Sequence, residues 1–339
     1  MAMAASLREP REGQLVALMT ELRPFAHVPV LLGAVVDLFH PVPPGTIVDA
    51  TLGGAGHAAA VLQSRSDLRV LGLDRDRNAL AAAQARLGSY GSRAETHHAR
   101  FDQLATVVAA AGAASQPIVG VLFDLGVSSP QFDDGARGFS YRHDAPLDMR
   151  MDQSSGRSAA EVVNATGQHE LADLLRRNAD ERFAARIARA IVAARPIATT
   201  QELAAVVVEA IPAPARRKGG HPAKRTFQAI RIHVNEELEM LAPALDSAID
   251  VLGPGGRLVV ISYHSGEDRI VKERLRRADD GGCTCPPNLP CACGAAPEAR
   301  LLKRGGWTPS GPEVAVNPRA ASARMRAVEK LPITPKDLS

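Results

Sequence analysis

Thr46-Ile-Val-Asp-Ala-Thr-Leu-Gly-Gly-Ala-Gly-His57 sets a short apolar strand, an acid at Asp49 and a glycine-rich turn in immediate succession. An Ala-rich helical stretch, Ala58 to Leu62, follows, and a second apolar strand from Leu68 to Leu73 ends at Asp74. Gly53, Gly54 and Gly56 remove side chains around Ala55 and His57, which lets backbone N–H groups and a helix N-terminus approach a ligand closely. An acid roughly 20 to 25 residues beyond such a turn suits a bidentate hydrogen bond to ribose hydroxyls, and Asp74 fills that position. The unit predicts a doubly wound α/β sheet with a nucleoside-containing cofactor. Gly54-x-Gly56-x-x-Ala59 matches the dinucleotide fingerprint, a pattern unspecific on its own. Asp49 turns the choice away from NAD. A carboxylate just ahead of the loop repels a pyrophosphate and welcomes the ammonium of a methionine moiety, so S-adenosylmethionine (SAM) is favoured.

The pattern recurs at Val121-Leu-Phe-Asp-Leu-Gly-Val-Ser-Ser-Pro-Gln131. Val119 to Phe123 reads as a buried strand, Asp124 stands at its end, and a Gly/Ser/Pro loop follows. On that stretch alone Asp124 serves equally well as a cap for the next element. Three acids, Asp49, Asp74 and Asp124, at strand ends on one expected sheet edge are better explained by a ligand than by three caps. Glu95 to Arg100 reads as a further strand. Phe101, just beyond it, is placed to pack on an adenine, although a lone Phe more often joins the core. Farther along, one helix from Phe227 to about Ala248 leads through Gly253-Pro-Gly-Gly to a strand, Arg257 to Ser262. Tyr263-His-Ser-Gly-Glu-Asp-Arg269 then falls on the same edge as the acids.

Between these strands the pattern changes. Asp133 to Asp152 shows no period and reads as a long loop, in which Arg137, Phe139, Tyr141 and Arg142 suit stacking and phosphate contact with a single-stranded nucleotide, or simply a polar surface. Residues 158 to 211 read as helical. Ser158 and Glu161 have capping-box spacing, Leu171, Leu174, Leu175, Phe183, Ile187 and Ile191 share one helical face, and Thr199 or Thr200 starts a further helix. Arg176, Arg177, Arg182, Arg186 and Arg189 fall on the opposite side, either for nucleic acid or as a solvated face. From Arg300 to Lys330 seven Lys and Arg stand against two acids, a tail suited to a phosphate backbone.

Composition bounds the rest. A chain of 339 residues that is 45% apolar and 23% charged forms one large domain or two ordinary ones. Its net charge of +3 leaves any nucleic-acid contact to local patches. Residues 1–23 are charged throughout and read as a flexible leader, not a signal peptide. No apolar run reaches the roughly 20 residues of a membrane helix, so no membrane partner is expected and the cytoplasm is the expected location. Cys283, Cys285, Cys291 and Cys293 share one segment, which argues against a structural disulfide framework. They form either a metal knuckle or unligated loop thiols. Structural zinc sites usually place two or more residues between paired ligands and these pairs have one, so no metal is assigned.

The ordered set of motifs resembles the bacterial 16S ribosomal RNA (cytosine-N4)-methyltransferase family, RsmH or MraW. The matches are Asp49 to His57, Asp74-Arg-Asp, Asp124-Leu-Gly-Val-Ser-Ser-Pro-Gln131, Gly138-Phe-Ser, Pro146-Leu-Asp-Met-Arg-Met151, Gly220-His-Pro-Ala-Lys-Arg-Thr-Phe-Gln-Ala-Ile-Arg231 and Tyr263 to Arg269. They span His27 to about Glu329. The resemblance implies a class I SAM-dependent methyltransferase fold, Rossmann-like, over 24–140 and 226–339, with an inserted helical substrate-recognition domain at 141–225. It implies methylation of a cytidine N4 in 16S rRNA, with 16S rRNA or the small ribosomal subunit as partner; oligomeric state stays open. Carried over by position, the SAM contacts are Ala55, Gly56, His57, Asp74, Phe101, Asp124 and Gln131, with Gly53 and Gly54 in the same loop. Tyr263 stands where Phe is common in the family and Gly266 where Leu is common.

Cytosine N4 is a poor nucleophile because its lone pair is delocalised into the ring, so an enzyme must accept hydrogen bonds from the amine and draw it toward tetrahedral geometry. Many amino-methyltransferases use an Asp/Asn-Pro-Pro-aromatic segment there. This chain offers Asp124 instead, as the expected catalytic residue, or a nearby backbone carbonyl. His143 and His264 are candidate bases by their neighbours alone, and structural histidines are the simpler reading.

Overall fold

A computed structural model describes residues 29–111, 116–127, 135–217, 220–286 and 292–332. The leader 1–23, Gln131 and Cys291 lie outside the described residues. Among the described residues there are seven strands, the apolar runs β1 Gly45–Asp49, β2 Leu68–Asp74, β4 Ile118–Asp124 and β5 Leu252–Ser262 and the more polar β3 Ala94–His98, β6 Ala299–Leu301 and β7 Arg324–Lys330. They lie in one sheet in the order β3-β2-β1-β4-β5-β7-β6. The first five are mutually parallel, and β7 runs antiparallel to both β5 and β6. This is the class I, Rossmann-like arrangement. The strand order reverses between β1 and β4, so a crevice opens at their carboxyl ends.

Both faces are covered, which is why the strands read as continuous apolar runs. Alternate residues divide between the faces. Val48, Val121, Phe123 and Val260 pack under Leu241, Leu245 and Leu275, whereas Ile47, Leu122, Val259 and Ile261 face Val35, Phe39 and Met325. Gly120 interrupts β4 for a steric reason: a Cβ there would lie 2.7 Å from the Phe39 ring.

Helices Ala159–Ala165, Gln168–Ala179, Ala184–Ala193 and Thr200–Ala210 lie between β4 and β5 and build a separate core. Phe139, Leu147 and Met149 enter it from one side, and Phe227, Ala229 and Ile230 from the other. Ser158 with Glu161 and Thr199 with Glu202 form capping boxes at two of the helix starts. The single helical face expected through Ile191 is carried by two helices, because Asp180 turns left-handed (φ 48°) and ends the first. The helix expected from Phe227 to Ala248 is likewise two, Lys224–Asn235 and Glu237–Val251, divided at Glu236 (φ 53°).

One surface expectation is narrowed and another corrected. Part of the basic tail is the far edge of the sheet: Met325, Ala327 and Val328 are buried, and three of its seven cations pair within the protein, Arg326 with Asp268 at 2.7 Å, Arg300 with Glu329 at 3.0 Å and Lys330 with Glu298 at 3.6 Å, while Lys303, Arg304, Arg319 and Arg324 are exposed. Arg137 and Phe139 are likewise buried and unavailable to a nucleotide. Arg137 pairs with buried Asp76 at 3.0 Å and donates to the carbonyls of Arg150 and Met151. The loop needs an internal cation because its backbone carbonyls turn inward. Among the described residues no helix is long and apolar enough to cross a membrane.

Asn235, fully buried, ties the loop to the sheet domain. Its Oδ1 accepts from Met151 N at 2.8 Å, and its Nδ2 donates to the carbonyls of Met149 (2.8 Å) and Arg231 (2.9 Å). Asn235→Leu keeps the volume and strands these groups, so it is expected to cost roughly 2–4 kcal/mol. Urea denaturation followed by circular dichroism measures this; a loss below about 0.5 kcal/mol would show that the side chain is not the staple.

Candidate active site

The turn after β1 is wired to both neighbouring strands. Thr51 N donates to Asp49 Oδ1 at 3.3 Å, while Thr51 Oγ1 accepts from Asp124 N at 2.6 Å. Gly53 N and Asp76 N donate to the two Asp74 oxygens at 2.7 and 2.8 Å. Gly53 and Ala55 both lie in the left-handed region (φ 51° and 59°), which bends the chain into the helix Gly56–Ser64. The glycines do not all clear space for a ligand, as expected from sequence. Gly56 makes room for Pro29, whose Cγ would lie 2.3 Å from a Cβ, and the Gly53 N–H is spent on Asp74. Gly54 has open space at its Cβ position, and the nearest atom to a Gly53 Cβ, Thr51 O, is 4.0 Å away, so Gly53 is kept for its left-handed φ and not for space.

The three acids share one edge, where Asp49 and Asp74 are desolvated. Burial pushes the Asp49 carboxyl up to about 8; the Thr51 N–H opposes this, and the charges of Asp124 and Asp74 add to it. Asp74 is raised by burial against the pull of its two N–H donors. Asp124 is oriented from two sides. Tyr263 Oη donates to its Oδ1 at 2.8 Å, and His57 Nδ1 lies 3.7 Å from its Oδ2. His57 Nε2 lies 3.0 Å from the Val30 carbonyl, which only accepts, so that nitrogen carries a proton. Burial, with the neighbouring Asp124 charge and hydrogen bond, raises the Tyr263 phenol and keeps it a donor.

These groups floor a cleft of about 1850 Å³ that the helical block roofs. Gly53, Gly54, Gly56, His57, Asp74, Phe101 and Asp124 all line it, and Ala55 is buried behind them. Phe101 stands edge-on to Phe123, centroids 5.9 Å apart. On the roof, Tyr141 stacks on His221 at 4.3 Å, with Lys224 and Arg225 exposed beside them. His143 is exposed on the wall. His264 caps the helix Ser265–Asp280: its Nδ1 accepts from Glu267 N at 3.4 Å and its own N–H donates to Glu267 Oε2 at 3.2 Å, a structural task.

Sequence reading missed Thr51, the Tyr263 hydroxyl, Arg231 and Glu267. Arg231 forms a two-bond ion pair with Glu237 at 2.9 and 2.8 Å. Burial pushes the Glu267 carboxyl up, but His264 and the Arg231 charge outweigh it and hold it below the usual range. The signal for Arg231 was its place at the end of the Gly220–Arg231 motif; for Thr51 it was a hydroxyl between an acid and a glycine turn.

Residues 24–331 match the family model described as the MraW methylase family. Similar proteins include "Ribosomal RNA small subunit methyltransferase H" of Symbiobacterium thermophilum, 51% identical over 312 residues that cover 91% of this chain and 97% of that one. The protein so named in Heliobacterium modesticaldum is 48% identical, with coverage of 91% and 99%. That of Frankia casuarinae is 54% identical over 290 residues, with coverage of 84% and 89%.

Asp49 gives the site a pH signature. The folded chain keeps its proton up to about pH 8, while an unfolded chain releases it near 3.8. Between those values the folded state binds more protons than the unfolded one, so this contribution to stability is full below the lower value and is lost as pH rises through the upper. Asp49→Asn is expected to flatten the decline. Urea midpoints between about pH 5 and about pH 8 measure it; parallel declines in both proteins would show that Asp49 does not hold the proton.

Proposed function

The chain belongs to the MraW methylase family, and from that premise we propose that it transfers the methyl group of SAM to the exocyclic N4 amine of a cytidine in the RNA of the small ribosomal subunit. The observation that carries the reading is the set of three carboxyls at adjoining strand ends, with Asp74 and Asp124 lining one cleft and Asp49 buried between them, beneath a roof with exposed cations.

The residues fit the methyl donor. Asp49 and Asp74 are desolvated carboxyls whose proton affinity is raised, an environment that favours a cation arriving to restore their ionised form. Asp74 is held by two backbone donors and keeps lone pairs for ribose hydroxyls. Phe101 offers an apolar edge for an adenine. Gly53, Gly54, Ala55, Gly56 and His57 shape the turn beneath, and Gln131 completes the set by its place in the motif. Bound SAM supplies a methyl group on a positively charged sulfur.

Asp124 is the residue we assign to the acceptor amine. Fixed by Tyr263 and by the backbone bond to Thr51, its carboxylate accepts an N4 hydrogen and draws the nitrogen lone pair out of conjugation. Tyr263 and His57 are positioning residues. The target base leaves its stack to enter the cleft, and the Tyr141–His221 pair is a ready stacking surface at the entrance. Segment 141–225, its core completed by Phe227, Ala229 and Ile230, grips the RNA, and 24–140 with 226–339 carries the chemistry. Such a substrate is met in the cytoplasm.

Asp124→Asn is expected to lower methyl transfer by on the order of 10²-fold or more. Tritium transfer from SAM to small-subunit RNA, with nucleoside analysis for N4-methylcytidine, measures it. Near-normal turnover by the folded variant would overturn the assignment, and label on another nucleoside would overturn the acceptor. Lys224→Ala with Arg225→Ala is expected to weaken RNA binding and to reduce the slope of log affinity against log salt by about 2, with SAM affinity unchanged in calorimetry. An unchanged slope would place the RNA elsewhere.

A further inference from the structure

Cys283, Cys285 and Cys293 lie beyond the far end of the helix Ser265–Asp280, outside everything described for the cleft. Their sulfurs all lie within 4.8 Å of one another, and Cys283 and Cys293 are 3.7 Å apart. A disulfide would need about 2.05 Å. Sulfurs set tetrahedrally at about 2.3 Å from a zinc ion stand about 3.8 Å apart, close to the Cys283–Cys293 distance, and the third sulfur lies within 4.8 Å of both. Ala292 N also donates to Cys285 Sγ at 3.4 Å, which fixes the position of that sulfur beside the other two.

The surrounding chain explains why a cross-link is needed. Gly281 and Gly282 turn left-handed (φ 63° and 70°), and a Cβ at Gly281 would lie 2.6 Å from the Ala296 backbone, so the outgoing and returning strands of the loop meet closely. Glu298 N donates to the Ala278 carbonyl at 2.9 Å and Leu301 N to Asp279 Oδ1 at 2.8 Å, which fixes the return into β6. Between those ties, residues 283–286 and 292–298 are half-buried or exposed and bring no apolar cluster of their own. A short segment without a core is commonly held by metal or disulfide. In a reducing compartment the metal is the lasting choice.

We infer that Cys283, Cys285 and Cys293 ligate one structural zinc ion, a soft-to-borderline divalent cation, that fastens this loop and the β6 edge. The site is not catalytic: the helix between it and His264 has 16 residues and is about 24 Å long. The one-residue spacing within each Cys-x-Cys pair departs from the usual knuckle, and the tight double-glycine turn lets Cys293 meet Cys283 and Cys285 instead.

The test uses the full chain purified without chelator. About one zinc per chain is expected by elemental analysis, with thiols that resist a thiol reagent until the metal is removed. Cobalt(II) loaded into the metal-depleted, reduced protein is expected to give the intense visible bands of tetrahedral thiolate coordination. Cys283→Ser with Cys293→Ser is expected to lower zinc to below about a tenth of an equivalent while SAM affinity is kept. Wild-type protein that carries no zinc and gives no thiolate band with cobalt overturns the site whether or not the variant folds. Zinc retained in full by the double variant overturns the ligand assignment.

Discussion

The structure turns on a carboxyl cluster that its own electrostatics oppose. Asp49, Asp74 and Asp124 end β1, β2 and β4, neighbours in the sheet, and burial together with mutual repulsion raises the proton affinity of Asp49 to about 8. No packing gain explains three acids at one edge. The surrounding groups answer the cost one at a time: Thr51 N–H for Asp49, Gly53 and Asp76 N–H for Asp74, and Tyr263 Oη–H for Asp124. The turn after β1 takes its shape from this task, since its N–H groups must reach two different carboxylates and its Thr51 hydroxyl the β4 backbone. What the donors leave unsatisfied is a demand for positive charge, which the proposed methyl donor would meet with its sulfonium or ammonium.

The helical block is coupled to that edge through buried polar contacts. Asp76, two residues beyond Asp74, caps the helix Arg77–Leu87 through Asn78 N and pairs with Arg137 of the loop under the block. Asn235, at the end of the helix Lys224–Asn235, holds Met149 and Met151 of the same loop. Directional bonds of this kind hold the roof over the acids in one arrangement, which apolar packing alone does not do. The break at Glu236 belongs to the same design. A continuous helix would carry Glu237 away from Arg231, whereas the left-handed residue returns it for a two-bond pair beside the cleft.

Local periodicity made the sheet legible: each strand that ends in an acid, the glycine turn, and the caps at Ser158 and Thr199 are written within a few residues of one another. Contacts across the chain were not. Arg137 looked like a surface cation because its partner is 61 residues away, and the loop's irregularity hid that Leu147 and Met149 point inward. The helix breaks at Asp180 and Glu236 carry no Gly or Pro, the residues that ordinarily mark such stops. Of the candidate site, Gly53, Gly54, Gly56, His57, Asp74, Phe101 and Asp124 are gathered at one cleft. The role of Gly56 was misread, since sequence does not show that Pro29 packs there.

The basic tail shows how the far edge of the sheet serves the cleft. Arg326 on β7 grips Asp268 with two bonds, at 2.7 and 3.0 Å, in the first turn of the helix Ser265–Asp280. That turn also holds Glu267, which accepts the Tyr263 N–H at 2.7 Å and so sets the backbone from which the tyrosine reaches Asp124. Arg257 pairs with Glu329 and binds β5 to the tail in the same way. A charge count over this segment suggests RNA contact, yet Arg326 is committed to an acid that steers the helix, and Arg300 and Lys330 are paired at Glu329 and Glu298. The helix N-terminus faces the cleft and its other end meets the returning loop at Ala278 and Asp279, so the tail positions Tyr263 by holding the element that carries it.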